Sequence, residues 1–128
     1  MLLDLDFSGD TPIYQQIRNQ IVVGIASGQL KCGEKLPAIR TLADEAGVNM
    51  MTVNKAYALL KQEGYITADR RGGTVVAQTA GDSAVPELSL ASEQALRVII
   101  SEAKLSGMTQ EQFLSTCKRL VSEGGDGV

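Results

Sequence analysis

The residues of this chain best suited to chemistry are cations and amides rather than nucleophiles. Between Asn49 and Gly64, the residues Val53, Ala56, Tyr57 and Leu60 stand at i, i+3, i+4 and i+7, the signature of a buried helical face. At 100° per residue the opposite face carries Met51, Asn54, Lys55, Ala58 and Gln62, with Thr52 on the flank and Asn49 and Met50 at the amino end. Small, polar and basic side chains on one face suit contact with base edges and phosphates in a groove, although a merely solvated helix face draws on the same residue types. Further along, Arg70 and Arg71 stand beside Gly72 and Gly73. There a cation can approach a phosphate backbone or a minor groove without side-chain obstruction; a plain solvated turn is the other reading of so short a motif.

Catalysis has little to work with. Histidine is absent, which removes the commonest general base, the Ser-His and Cys-His pairs and most transition-metal sites. Cys32 and Cys117 lie far apart and read as two reduced structural thiols, neither a zinc site nor a disulfide scaffold. No catalytic residue, cofactor or metal is expected. No apolar run approaches the roughly 18 residues of a membrane span, and the amino terminus is acidic where a signal peptide is basic, so a cytoplasmic protein is expected.

A formal net charge of −3 argues against a polyanionic partner when the 128 residues are taken as one surface. The distribution differs. Residues 1–77 hold 8 Lys+Arg and 8 Asp+Glu, whereas residues 78–128 hold 4 and 7, so the acidity lies in the tail. A neutral domain can still bind phosphates when its cations share a side, because screening makes neutralisation local.

The elements that must position these residues can be read in order. Thr11-Pro12 predicts the start of a first helix, in which Ile13, Ile17, Ile21 and Ile25 form one apolar stripe before Gly28. Gly33 to Pro37 reads as a turn. Ile39, Leu42, Ala43 and Ala46 then mark a short second helix closed by Gly47, and Asn49 caps the third, which ends at Gly64. Tyr65–Ala68 and Thr74–Ala77 are β-rich runs around a glycine-dependent turn, a hairpin with both arginines at its tip. Residues 78–87 read as a linker. Leu88, Ala95, Leu96, Ile99, Ile100 and Ala103 make a fourth helix ending near Gly107. Thr109 to Gln112 is a capping box, and Phe113, Leu114, Cys117, Leu120 and Val121 form the stripe of a fifth, with the last five residues expected to fray.

The expected fold class is mainly α with a small β-hairpin wing: a winged helix-turn-helix over residues 1–77, with its core at about 11–77, then the linker and a two-helix extension over 88–128. Two helices with such wide apolar faces cannot bury them on each other, so the extension is expected to form a homodimer, with an intramolecular core as the alternative.

The run Gly33-Glu34-Lys35-Leu36-Pro37-Ala38-Ile39-Arg40, followed by Leu42-Ala43, Gly47-Val48, Thr52-Val53, Ala56-Tyr57, Leu60, Glu63-Gly64 and Gly73-Thr74-Val75-Val76, closely resembles the GntR family of bacterial transcription regulators. The likeness covers roughly residues 11–77, and the short two-helix tail is similar to the YtrA subfamily. The resemblance implies a dimeric, sequence-specific repressor on a two-fold symmetric double-stranded DNA operator. It implies DNA contacts by Arg40, Asn49, Met51, Thr52, Asn54, Lys55, Arg71, Gly72 and Gly73, and the full contact set expected here adds Lys35, Met50 and Arg70. Met50 departs from the pattern, standing where many relatives have arginine or another polar reader, and Ala38 stands where serine is frequent.

Two other functions compete. A winged protein-interaction module without specific DNA binding would suit the acidic charge and Met50. An enzyme would need the large pyridoxal-phosphate-dependent domain that some relatives attach to the same head, for which the chain has no room. No residue identifies the operator, the regulated genes or a small-molecule effector, and two short helices can hardly enclose a pocket of a few hundred Å³.

Overall fold

The third helix holds the first unit together, because its apolar face meets the first two helices and the first strand of that unit. A computed structural model describes residues 3–77 and 87–123, which fall into two units, one on each side of the undescribed stretch. The first unit contains α1 (Ile13–Ala26), α2 (Ile39–Ala46), α3 (Met50–Glu63), β1 (Ile66–Ala68) and β2 (Thr74–Val76). Val53, Ala56, Tyr57 and Leu60 of α3 are buried with Ile17 and Ile21 of α1, Leu42 and Ala43 of α2, and Ile66 and Val76 of the strands. Apolar residues at helical spacing on three helices thus close one core, as their periodicity requires.

Local chemistry sets the element ends. Gly47 adopts φ 70° and ψ 35°, a left-handed conformation that ends α2 and turns the chain within three residues into α3. Asn49 caps α3, its Oδ1 accepting from the Met51 amide at 2.7 Å. At α1 the boundary lies one residue later than the sequence predicts. Pro12 is the N-cap with an extended ψ of 146°, and no side chain caps the helix. The Thr11 carbonyl instead accepts a hydrogen bond from Gln16 Nε2 at 2.8 Å.

β1 and β2 pair antiparallel, Ile66 opposite Val76 and Ala68 opposite Thr74. The segment read as a turn at Gly33–Pro37 does more than turn. Gly33 N donates to Val76 O at 2.8 Å, Val76 N to Glu34 O at 2.9 Å and Leu36 N to Thr74 O at 2.8 Å, so this segment pairs along β2 through an isolated bridge between Lys35 and Val75. Those partners lie about forty residues apart in sequence, and a lysine, a glycine and a proline in one short run carry no strand signal of their own.

The amino-terminal segment docks on α1 through two glutamines. Asp4 N donates to Gln20 Oε1 at 2.9 Å and Gln20 Nε2 donates back to the Asp4 carbonyl at 2.6 Å; Gln16 does the same for Asp6, both bonds at 2.8 Å. A primary amide imitates a peptide group. Residues two apart on an extended chain are about 6.6 Å apart and one helical turn rises about 5.4 Å, which lets glutamines at i and i+4 meet alternate residues. Leu3 and Leu5 pack against the core from this segment.

Tyr57 joins α3 to the loop before α2, its Oη donating to the Pro37 carbonyl at 2.8 Å. Burial pushes its phenol up to about 12, so the folded state favours the neutral form. A raised acid pKa contributes stability that is intact below about pH 10 and is lost as pH rises towards 12. Tyr57→Phe is expected to cost about 1–2 kcal/mol at neutral pH, by leaving the Pro37 carbonyl unpaired, and to flatten that alkaline loss. Urea midpoints of both proteins at pH 8 and pH 11 check this.

In the second unit, α4 (Leu90–Leu105) is capped by Ser89, whose Oγ accepts from Ser92 N at 3.1 Å. α5 (Gln110–Glu123) opens on the expected capping box: Gln112 N donates to Thr109 Oγ1 at 3.1 Å and Thr109 N to Gln112 Oε1 at 2.9 Å. Neither helix has a buried residue; Leu96, Ile99, Leu120 and Val121 are all exposed. The predicted linker lies, apart from Glu87, outside the described residues, as do the last five positions.

Candidate nucleic-acid interface

Three elements of the first unit present the candidate residues. α2 offers Arg40 at its second position, α3 offers its outer face, and the β1–β2 turn offers its tip. Lys35, Arg40, Asn49, Met50, Met51, Asn54, Lys55, Arg70, Arg71, Gly72 and Gly73 are exposed, and Thr52 is half-buried on the flank of α3. This division follows from the packing of α3, whose opposite side is sealed in the core.

Five of these positions have contacts that define their geometry. Asn49 has its side-chain oxygen committed to the helix cap. The Lys55 ammonium lies 4.0 Å from the centroid of the Tyr14 ring, a cation–π contact that draws the cation towards the first turn of α1. Lys35 lies across Gly73: a β-carbon there would sit 2.9 Å from Lys35 Cε, and Gly73 has φ 83°. The left-handed φ favours glycine at this position, and the crossing gathers Lys35 with the hairpin whose tip carries Arg70 and Arg71. The turn closes through Gly72 N to Asp69 O and Asp69 N to Gly73 O, both at 3.0 Å.

Cations outside this surface are occupied differently. Among the described residues the ion pairs are made by Arg18, Arg97 and Arg119, none of them a candidate. Arg18 grips both carboxylate oxygens of Glu63 at 2.9 and 3.0 Å, tying the middle of α1 to the end of α3, and this raises the guanidinium pKa above its ordinary value. Tyr14 is the residue that sequence reasoning passed over. Its partner is remote in sequence, and an aromatic at the start of an apolar helix otherwise signals only packing. Among the described residues no cluster of His, Cys, Asp or Glu could hold a metal ion, and no helix is long and apolar enough to cross a membrane.

Three helices around one core, a three-residue turn from α2 into α3, an uncovered outer face on α3 and a flanking hairpin define a winged helix-turn-helix. A family model described as bacterial regulatory proteins, gntR family, matches residues 13–76. The chain is 31% identical over 122 residues to the HTH-type transcriptional repressor YtrA of Bacillus subtilis strain 168, an alignment covering 95% of this chain and 94% of that one. Among solved structures it is similar to a transcriptional antiterminator from Listeria monocytogenes EGD-e, with TM-score 0.88 and 26% identity, covering 100% of this chain and 96% of that chain. It is also similar to the DNA-binding domain of AraR in complex with operator ORX1, with TM-score 0.53 and 29% identity over 60% of this chain and 99% of that one. The chain belongs to the gntR family of bacterial regulatory proteins and is a DNA-binding transcription regulator.

Proposed function

We propose that the protein is a cytoplasmic repressor that binds a two-fold symmetric operator as a homodimer, with α3 in the major groove and the wing against the flanking backbone. The observation that carries this reading is the shared exposure of Arg40, the outer face of α3 and the wing tip on a unit whose net charge is otherwise balanced. In this reading Arg40, Lys35, Lys55, Arg70 and Arg71 neutralise phosphates or reach base edges, Asn54 reads a base, and Asn49, Thr52, Gly72 and Gly73 fix the backbone approach. The extension supplies the pairing surface. α4 and α5 bury nothing by themselves and leave an apolar cleft of about 270 Å³ lined by Ile100, Ala103, Met108, Phe113 and Leu114, which a second copy of the same helices would fill.

Titrating salt against binding to duplexes selected from a random pool tests the reading. Each phosphate contact contributes about 0.9 to the log–log slope, so a slope of several units and a palindromic consensus are expected. Indifference to every duplex at low salt would instead favour the protein-interaction module.

Tyr14 has a distinct expected effect, because it holds Lys55 through its ring and not its hydroxyl. Tyr14→Leu is expected to weaken operator binding about two- to fivefold, the worth of an exposed cation–π contact, while Tyr14→Phe leaves it unchanged. A Lys55→Gln background should abolish the difference between the two variants. If the difference persists there, the ring acts by packing alone.

A further inference from the structure

The first turn of α3 exposes two large apolar side chains at the place where a reading helix meets bases. Met51 is 77% exposed and Met50 46% exposed, and the other exposed large hydrophobics of the first unit, Phe7 and Val23, lie on other elements. Consecutive helical residues point 100° apart, so the two methionines splay to either side of Asn54, which stands at i+4 from Met50 and i+3 from Met51. The Asn49 side chain beside them is engaged in the helix cap, its Oδ1 accepting from the Met51 amide. Ala58, one turn beyond Asn54 on the same exposed face, has no side chain long enough to hold the helix away from a groove floor.

The major groove shows one apolar feature, the C5-methyl of thymine; every other edge there is a hydrogen-bond donor or acceptor. A thioether laid over a guanine or cytosine edge covers polar atoms without bonding them, whereas over a thymine methyl both partners lose apolar surface to water. Methionine is unbranched and flexible, so it can follow a methyl group that a stiffer side chain would miss. The neighbouring amide adds a matching preference, because asparagine pairs in bidentate fashion with adenine N6 and N7. We propose that Met50 and Met51 are specificity-determining residues that read thymine methyls on either side of an adenine contacted by Asn54, so that each half-site has a T/A-rich centre. The inference rests on the operator-binding reading and names what that surface selects.

The test uses the full-length protein and the duplex that emerges from selection on a random pool. Each thymine of a half-site is replaced in turn by deoxyuridine, which keeps the base pairing and removes only the methyl. At least one thymine per half-site is expected to lose about fourfold in affinity on demethylation, the worth of one buried methyl, and two such positions about fifteenfold. Met51→Gln, of similar length but polar and at an exposed site, should bind thymine and uracil duplexes alike for the methyls it reads. Met51→Leu should keep the discrimination. Equal affinity of the wild type for both duplexes, or discrimination that survives replacement of both methionines by glutamine, overturns the assignment while leaving operator binding intact. Failure of any duplex to emerge from selection overturns the operator-binding reading and this inference together.

Discussion

Leu60→Ala is expected to destabilise the amino-terminal unit by about 2–5 kcal/mol, a large share of its stability. Leu60 is fully buried on the core side of α3 and is among the largest completely sealed side chains of the chain. Truncation forfeits its transfer free energy and leaves a cavity between α3 and its neighbours that a close-packed interior fills only in part. A unit of some 75 residues commonly has about 4–11 kcal/mol of stability in all, so the variant should unfold over a markedly lower range of urea with little change in m. Leu60→Met, which nearly conserves volume, should cost under about 1.5 kcal/mol. Because α3 bears the core face and the reading face on one rod, DNA binding should fall in step with folding and recover when the variant is assayed well below its midpoint. A shift of under about 1 kcal/mol for the alanine variant would show that this face is not sealed as described.

Arg40→Ala is expected to leave the fold untouched and to weaken operator binding by about 1–3 kcal/mol, the loss of a well-placed phosphate or base contact. Arg40 is exposed at the second position of α2 and takes part in no ion pair among the described residues, so its removal has no structural consequence of comparable size. A residue of this kind is recognised by dissociation. Affinity falls, the salt slope drops by about one if the partner is a phosphate, and the urea midpoint stays within about 0.5 kcal/mol of wild type. Lys is a poor substitute where a planar fork matters, so Arg40→Lys should recover less than half of the loss if the contact is bidentate. Unchanged affinity in an intact dimer would remove Arg40 from the interface.

Much of the architecture was legible before any coordinates because it is written in short-range chemistry. Asn49 caps α3 through its own side chain, and Thr109 with Gln112 forms a reciprocal capping box. The 3.6-residue spacing of Val53, Ala56, Tyr57 and Leu60 assigns the core side of α3 and thereby its outer side. The same logic failed at Thr11-Pro12, where the expected cap is absent and the helix starts at Ile13, because the chain there is held by Gln16 rather than by a local hydroxyl.

By itself, then, the sequence determined the helices, the caps of α3 and α5, the hairpin, and the division of α3 into a buried and an exposed face, since each depends on residues within one or two turns of one another. Only the tertiary structure decided that Gly33–Leu36 bridges to β2 and carries Lys35 across Gly73, and that Gln16 and Gln20 dock the amino-terminal segment. It also decided that Glu63 secures Arg18 and that Tyr14 holds Lys55. These contacts join residues from 10 to 45 positions apart. No propensity or period encodes such a pairing; it arises when the core closes and brings one element within reach of another.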